Sequence, residues 1–382
     1  MKFMHLSDLH LGKRVNEFSM TEDQEHILKE ILALTEREKP DGVILAGDIY
    51  DKPVPPAEAV GLLDFFLTRL SGMGILVFLI SGNHDSPERL SFGSRLMEKS
   101  GVYVAPAYQG LARPIELKDS YGSVFLYLLP FLKPAVVRRQ HPQAEADTYD
   151  CAVRWVLDQI RREENGFHPQ ERNVLAAHQF VAGASLSDSE ELSVGGLDQV
   201  GADAFDGFDY VALGHIHGPQ KVGRETLRYC GAPLKYSFSE TGQVKSVTVV
   251  ELLEKGNVKV SQRPLKPLRD MRRIRGSYEE VTARAFYQDA CTEDYLEVIL
   301  TDEEDILNAL GRLRAIYPNI MKLGYDNRRS KASAPLEAAG VRKRSPMELF
   351  ERLYEVQNNS PLSGEQREFL EPFMRELWEE IQ

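Results

Sequence analysis

A chain of 382 residues with 42% apolar side chains can bury a sizeable core and has room for two or three domains. No stretch approaches the ~20 apolar residues of a membrane span. The amino terminus lacks a signal-peptide pattern, and Cys151, Cys230 and Cys291 are too far apart for a Cys-x-x-Cys site, so a reduced, cytoplasmic protein is expected. The formal charge of −12 excludes a protein that coats nucleic acid nonspecifically, but not one that cuts it at a metal-bearing or locally basic site.

Lys2 to Ser7 reads as a strand. Thr21-Glu22-Asp23-Gln24 has the Thr-x-x-Gln form of a capping box and predicts a helix to about Glu38. Asp41 to Gly47 is a second strand. Pro55-Pro56 then opens a helix whose apolar face includes Val60, Leu63, Phe66, Leu67 and Leu70. Ile75 to Ser81, apolar up to its last residue, is a third strand covered on both faces. This βαβαβ order predicts parallel strands with right-handed crossovers. Further strands are expected at Val124 to Leu129, Val174 to Ala177, Tyr210 to Leu213, Leu227 to Tyr229, Ser246 to Leu252 and Val258 to Gln262, with a helix from about Thr148 to Arg162.

The α/β part is expected to span residues 1–268. Arg269, Arg272, Arg273 and Arg275 mark its boundary, and a small α+β unit follows over 269–328: helix, strand (Tyr295 to Leu300), helix (Glu303 to Ile316), strand. Residues 329–344, rich in Ala, Ser, Gly, Lys and Arg, read as a basic flexible linker. Within 345–382, Ser345-Pro346-Met347-Glu348 and Ser363-Gly364-Glu365-Gln366 cap two amphipathic helices. Their apolar faces, including Phe350, Phe373 and Trp378, exceed what so small a hairpin buries alone, so it either folds back on the body or docks a partner; the basic linker that holds it apart favours the partner.

Five short islands carry the ligand-type side chains: Asp8-Leu9-His10, Gly47-Asp48-Ile49-Tyr50-Asp51, Gly82-Asn83-His84-Asp85, His178, and Gly214-His215-Ile216-His217. The first three lie just past the carboxyl ends of apolar strands, where open α/β sheets place ligands. Carboxylate, carbonyl and imidazole together suit a hydrolytic two-metal centre. Such a centre needs a bridging carboxylate, and Asp48 fits, because Gly47 permits close approach. Asp8 and His10 can hold one ion from one side; His215 and His217 repeat that spacing, so that one of the pair could reach each metal. Asn83 offers a neutral oxygen, and His178 ends a strand. His84 is left over and becomes the candidate acid, oriented by Asp51 or Asp85. His5 alternates with Met4 and Leu6 and reads as core, while His26, His141 and His168 have no partner motif.

The series Asp-x-His, Gly-Asp-x-x-Asp, Gly-Asn-His-Asp, a lone His and Gly-His-x-His resembles that of the calcineurin-like metallophosphoesterases. The resemblance implies a four-layer αββα sandwich with two divalent ions, manganese or similar. It places Asp8, His10, Asp48 and His217 on one ion and Asp48, Asn83, His178 and His215 on the other, with His84 as acid paired with Asp51. Ala177-His178-Gln179-Phe180-Val181-Ala182-Gly183, Tyr229-Cys230-Gly231-Ala232-Pro233-Leu234 and Tyr236-Ser237-Phe238-Ser239-Glu240 are similar to the bacterial SbcD nuclease family. That likeness implies a nuclease subunit acting in DNA repair, recombination and replication. Its expected activities are 3′→5′ exonuclease on duplex DNA and endonuclease on hairpins or single strands. Its implied partner is the ATPase SbcC, bound by the hairpin at its coiled coil, with 269–328 as a DNA-capping domain and a homodimer of the nuclease subunit. No Gly-x-x-x-x-Gly-Lys-Ser/Thr motif is present, so ATP dependence would come from SbcC. The alternatives are a phosphatase or small-molecule phosphodiesterase on the same fold, or a scaffold without activity.

Overall fold

The structure, a computed structural model, describes residues 1–162, 167–190 and 199–327 and isolated positions between 347 and 370. Its first half alternates β1 (Lys2–Leu6), α1 (Thr21–Glu38), β2 (Gly42–Ala46), α2 (Ala57–Gly72), β3 (Leu76–Ile80) and β4 (Val102–Ala105). There follow β5 (Ile115–Asp119), β6 (Gly122–Leu129), α3 (Pro134–Gln140), α4 (Tyr149–Ile160), β7 (Arg172–His178), β8 (Tyr210–Gly214), β9 (Gln220–Val222) and β10 (Arg224–Tyr229). The hairpin strands β11 (Ser246–Leu252) and β12 (Val258–Pro264) close the first unit, Met1–Arg272.

Two six-stranded sheets form, ordered β12-β11-β1-β2-β3-β4 and β9-β10-β8-β7-β6-β5. β1 to β3 run parallel as expected, and β4, a strand the sequence reading did not include, joins them; β6, β7, β8 and β10 are parallel as well. Period-two alternation sorts each central strand between two cores. Phe3, Ile44, Phe78, Leu126, Val174 and Ala212 pack in the core between the sheets. On β6, β7 and β8, the intervening Tyr127, Leu175 and Val211 pack instead with Val153, Val156 and Ile160 of α4. α1 and α2 pair with one another and cover the first sheet. Each fully buried Leu, Val or Phe contributes ~1.5–3 kcal/mol relative to exposure.

Several local expectations change. The capping box at Thr21 does not form: Met20 occupies the cap position without a side-chain bond. Gln24 turns its amide to the loop after β1, accepting from Gly12 N–H at 2.9 Å and donating to the His10 carbonyl at 2.7 Å. The arginine-rich stretch is a strand, β13 (Met271–Gly276), in a three-stranded sheet with β14 (Tyr295–Leu300) and β15 (Ile320–Tyr325). Its arginines are engaged: Arg273 with Glu297, and Arg275 with Asp326, while Arg269 just before it pairs with Glu22 and Asp23. The first helix of this unit, α5 (Tyr278–Thr282), begins with a complete Ser277/Glu280 capping box. Where Glu303 to Ile316 promised a helix, only α6 (Ala309–Leu313) is helical, because Asn308 adopts a left-handed φ of 52° at its start. The expected linker lies outside the described residues, as does most of the hairpin. Among the described residues no helix is long and apolar enough to cross a membrane.

Candidate metal centre

The ligand-type residues stand at strand ends. β1 delivers Asp8 and His10, β2 delivers Asp48 and Asp51, and β3 delivers Asn83, His84 and Asp85 from the first sheet. The second sheet contributes His178, the last residue of β7, and His215 and His217 just beyond β8. The backbone bends hard to do this: Asp8, His10, Asp48 and His215 all have positive φ, at 53°, 45°, 49° and 110°. Left-handed non-glycine residues cost stability and concentrate at functional sites. Two glycines allow the loops to meet. A Cβ on Gly47 would lie 2.3 Å from His178 Nδ1, and one on Gly214 would lie 1.9 Å from the Ala46 carbonyl oxygen.

Asp48 sits at the middle. Its Oδ1 accepts from the His84 backbone N–H at 3.0 Å, which leaves Oδ2 3.3 Å from His178 Nε2, 3.7 Å from His10 Nε2 and 4.0 Å from His84 Nε2. Asn83 Oδ1 lies 3.0 Å from both His178 Nε2 and His215 Nδ1. His10 Nε2 and His217 Nε2 face each other at 3.0 Å. Asp8 Oδ1 accepts from the His215 N–H at 3.0 Å. Three overlapping groups of potential ligand atoms result: Asp8, His10 and His217; Asp48, His178 and His215; and His10, Asp48 and His84.

Proton accounting tests whether cations fit. His178 Nδ1–H donates to the Ala46 carbonyl at 2.8 Å, so neutral His178 turns a lone pair on Nε2 toward two acceptors, Asn83 Oδ1 and Asp48 Oδ2. The facing Nε2 atoms of His10 and His217 have room for at most one proton between them. Buried acceptors converging in this way suit cations, and their mixture of nitrogen and oxygen suits Mn, Fe, Zn or Co. Burial opposes charge on His178, but the Asp48 carboxylate outweighs it and raises the imidazole to about 9. Burial also lifts Asp8 to about 6, and it lowers His215, beside His178, to about 3.

His84 differs from the other imidazoles of the cluster in being partly open, with 17% of its side chain exposed. The expected pairing with the Asp51 carboxylate is corrected. His84 Nδ1 donates to the Asp51 backbone carbonyl at 3.0 Å, while the carboxylate takes Lys13 Nζ at 2.6 Å and stands 3.6 Å from His10 Nδ1. Asp85 does not orient His84 either. Its carboxylate accepts the N–H groups of Ile49, Tyr50 and Gly82 and thereby ties the β2 and β3 loops together. His5 is buried against Tyr210 and the Leu213 carbonyl, as expected of core. Sequence reasoning missed Gln24 and Tyr236, which share a bond at 3.1 Å and both bond main-chain oxygens of the Asp8–His10 loop. It also missed Ser189, Glu190, Glu240 and Lys245 around His217. Glu240 lay in a stretch read for its family likeness, but with no sign of what it contacts.

Residues 1–219 match the model of the calcineurin-like phosphoesterase family, and residues 267–358 match that of the type 5 capsule protein repressor C-terminal domain. The chain is 32% identical to the SbcD subunit of the nuclease SbcCD from Staphylococcus epidermidis, over 95% of each chain. It is 31% identical to the corresponding SbcCD nuclease subunit of Staphylococcus saprophyticus, over 100% of this chain and 99% of the other.

Proposed function

The chain belongs to the calcineurin-like phosphoesterase family and, within it, to the SbcD subunits of SbcCD nucleases, and from that premise we propose how its centre cuts DNA. It is a metal-dependent nuclease that hydrolyses phosphodiesters. The observation that carries the reading is the convergence of the His178 and His215 ring nitrogens with Asp48 Oδ2 and Asn83 Oδ1 on one buried spot. In our assignment Asp8, His10, Asp48 and His217 hold one divalent ion, and Asp48, Asn83, His178 and His215 the other. Two such ions, manganese in this reading, supply Lewis acidity toward the phosphate and lower the pKa of water to about 7.

The chain's own groups do the rest. His84, anchored through Nδ1 by the Asp51 carbonyl, turns Nε2 toward the cluster and can give a proton to the departing 3′-oxygen. The Asp51 carboxylate positions Lys13 and faces His10. We assign 3′→5′ exonuclease activity on duplex DNA and endonuclease activity on hairpins and single strands. The work is cytoplasmic, in DNA repair, recombination and replication. SbcC is the ATPase partner, bound through 345–382, and two copies of this chain take part. Residues 269–328 serve as the DNA-capping domain.

The test is a manganese titration on end-labelled duplex and hairpin DNA, with and without SbcC, beside a phosphomonoester substrate. Metal-dependent shortening from 3′ ends and hairpin opening are expected. Phosphomonoester hydrolysis with DNA left intact would instead favour a phosphatase on the same fold.

A further inference from the structure

A buried ion pair behind His217 has no part in the chemistry above. Glu240 is wholly buried, and Lys245 nearly so. Lys245 Nζ donates to Glu240 Oε2, to the His217 carbonyl at 2.8 Å and to Gln243 Oε1 at 2.8 Å. Buried pairs of this kind are costly unless every lone pair and proton is used. The other Glu240 oxygen, Oε1, accepts the Ser189 hydroxyl at 2.7 Å. Ser189 Oγ lies in turn 2.8 Å from His217 Nδ1.

The proton count along this chain has one consistent solution. An ionised Glu240 can only accept, so the single Ser189 hydroxyl proton goes to it. Ser187 Oγ, 2.7 Å from Ser189 Oγ, has its own acceptor in Glu190 Oε2 at 2.8 Å. Ser189 Oγ must therefore accept from His217 Nδ1–H. That leaves the His217 lone pair on Nε2, the atom facing His10. Glu190 Oε1 adds a second hold, accepting the His217 backbone N–H at 2.8 Å.

We propose that Ser189 and Glu240 are positioning residues that lock His217 as the Nδ1–H tautomer and so prepare its Nε2 to bind the ion it shares with Asp8 and His10. The segment Ser187–Glu190 acts as a clip. It brings one hydroxyl between a fixed carboxylate and a buried imidazole whose ring packing against His10 and Tyr236 does not itself choose between the two tautomers. Lys245 keeps Glu240 ionised in its buried setting, so the acceptor at the end of the relay is permanent. This inference rests on the two-ion reading of the centre. Outer partners of metal-bound histidines typically alter metal affinity by about 10- to 100-fold.

The test uses the full chain freed of metal, with manganese binding followed by calorimetry. Wild type is expected to bind two ions. Ser189→Ala should weaken one of them about 10- to 100-fold, leave the other within about twofold, and leave the metal-free melting temperature unchanged; Ser189→Thr should restore the affinity. Long-range proton–nitrogen spectra of the metal-free protein should show His217 protonated on Nδ1, and a mixture of tautomers in Ser189→Ala. Because Glu240→Gln risks misfolding, Ser189→Ala decides. Two wild-type affinities in Ser189→Ala would overturn the proposal, as would equal weakening of both ions together with a lowered melting temperature. A wild-type chain that binds no divalent ion would instead overturn the two-ion reading beneath it.

Discussion

His84 combines an Nδ1 tied to a main-chain carbonyl, an Nε2 4.0 Å from Asp48 Oδ2 and a partly exposed side chain, and this combination carries a first prediction. His84→Gln keeps a polar side chain but cannot donate an imidazolium proton. Turnover on duplex DNA should fall about 10²- to 10⁴-fold, while calorimetric manganese binding stays at wild-type strength; unchanged turnover would remove His84 from the chemistry. A second prediction concerns pH. With His178 raised to about 9 by Asp48, a metal ion must displace its proton. Manganese affinity should therefore weaken as pH falls below about 9, with proton release visible as a binding heat that varies with buffer ionisation enthalpy. At this scale the islands named the residues that meet, because ligand-type side chains after apolar strands are a chemical signal. The atoms that meet were not legible. Whether Asp51 offers a carboxylate or a carbonyl depends on Lys13, and Gln24 was hidden inside a capping pattern that its bond to the loop overrides.

Strands and long helices follow from periodicity, so β1 to β3, α1 and α2 stand close to where the apolar runs put them. The departures occur where a contact distant in sequence decides. Met271–Gly276 has the charge of a linker, yet Ile274 faces the core of its sheet while Arg273 and Arg275 find carboxylates. β7 opens with a comparable case. Arg172, with its side chain 2% exposed, binds both oxygens of Asp119 on β5 and the carbonyls of Gly122, Leu252 and Leu253, so it joins the second sheet to the end of β11. Arg172→Ala should cost ~3 kcal/mol, since it removes a buried guanidinium from Asp119, which keeps only the Met1 ammonium and the Tyr121 N–H, and leaves the Gly122 and Leu253 carbonyls without this donor. The guanidinium holds the Asp119 carboxyl well below its ordinary range. A depressed carboxyl stabilises the fold above its unfolded pKa of about 3.9 and loses that contribution as pH falls through the folded value. Asp119→Asn should therefore be less stable than wild type in urea at pH 7, with the gap shrinking toward acid. A gap constant from pH 7 to pH 2 would show that the pair does no such work.

At the scale of the molecule, residues 345–382 are the part to remove. The chain lacking them should retain manganese-dependent nuclease activity and lose co-purification with SbcC; persistence of the complex would place the interface elsewhere. Reading the sequence reached the positions of both sheets' central strands along the chain, because runs of apolar residues punctuated by Gly and Asp report strand ends directly. It also put the islands of both halves in one centre, but the stacking of two sheets that brings them together entered only through the family resemblance, since no local pattern is sensitive to it. The sharing has a consequence for survival. Asp8, Asp48 and Asn83 hang from one sheet and His178, His215 and His217 from the other, so ions held as proposed would fasten the two together. Ions at a hundredfold excess over their dissociation constants would add about 2.7 kcal/mol per site to folding. Chelated protein should accordingly be digested by trypsin several times faster than the manganese-loaded form, and an equal digestion rate would refute this. A cell short of metal would then lose the molecule itself, cleared by its own proteases, and not merely idle an enzyme that waits to be reloaded.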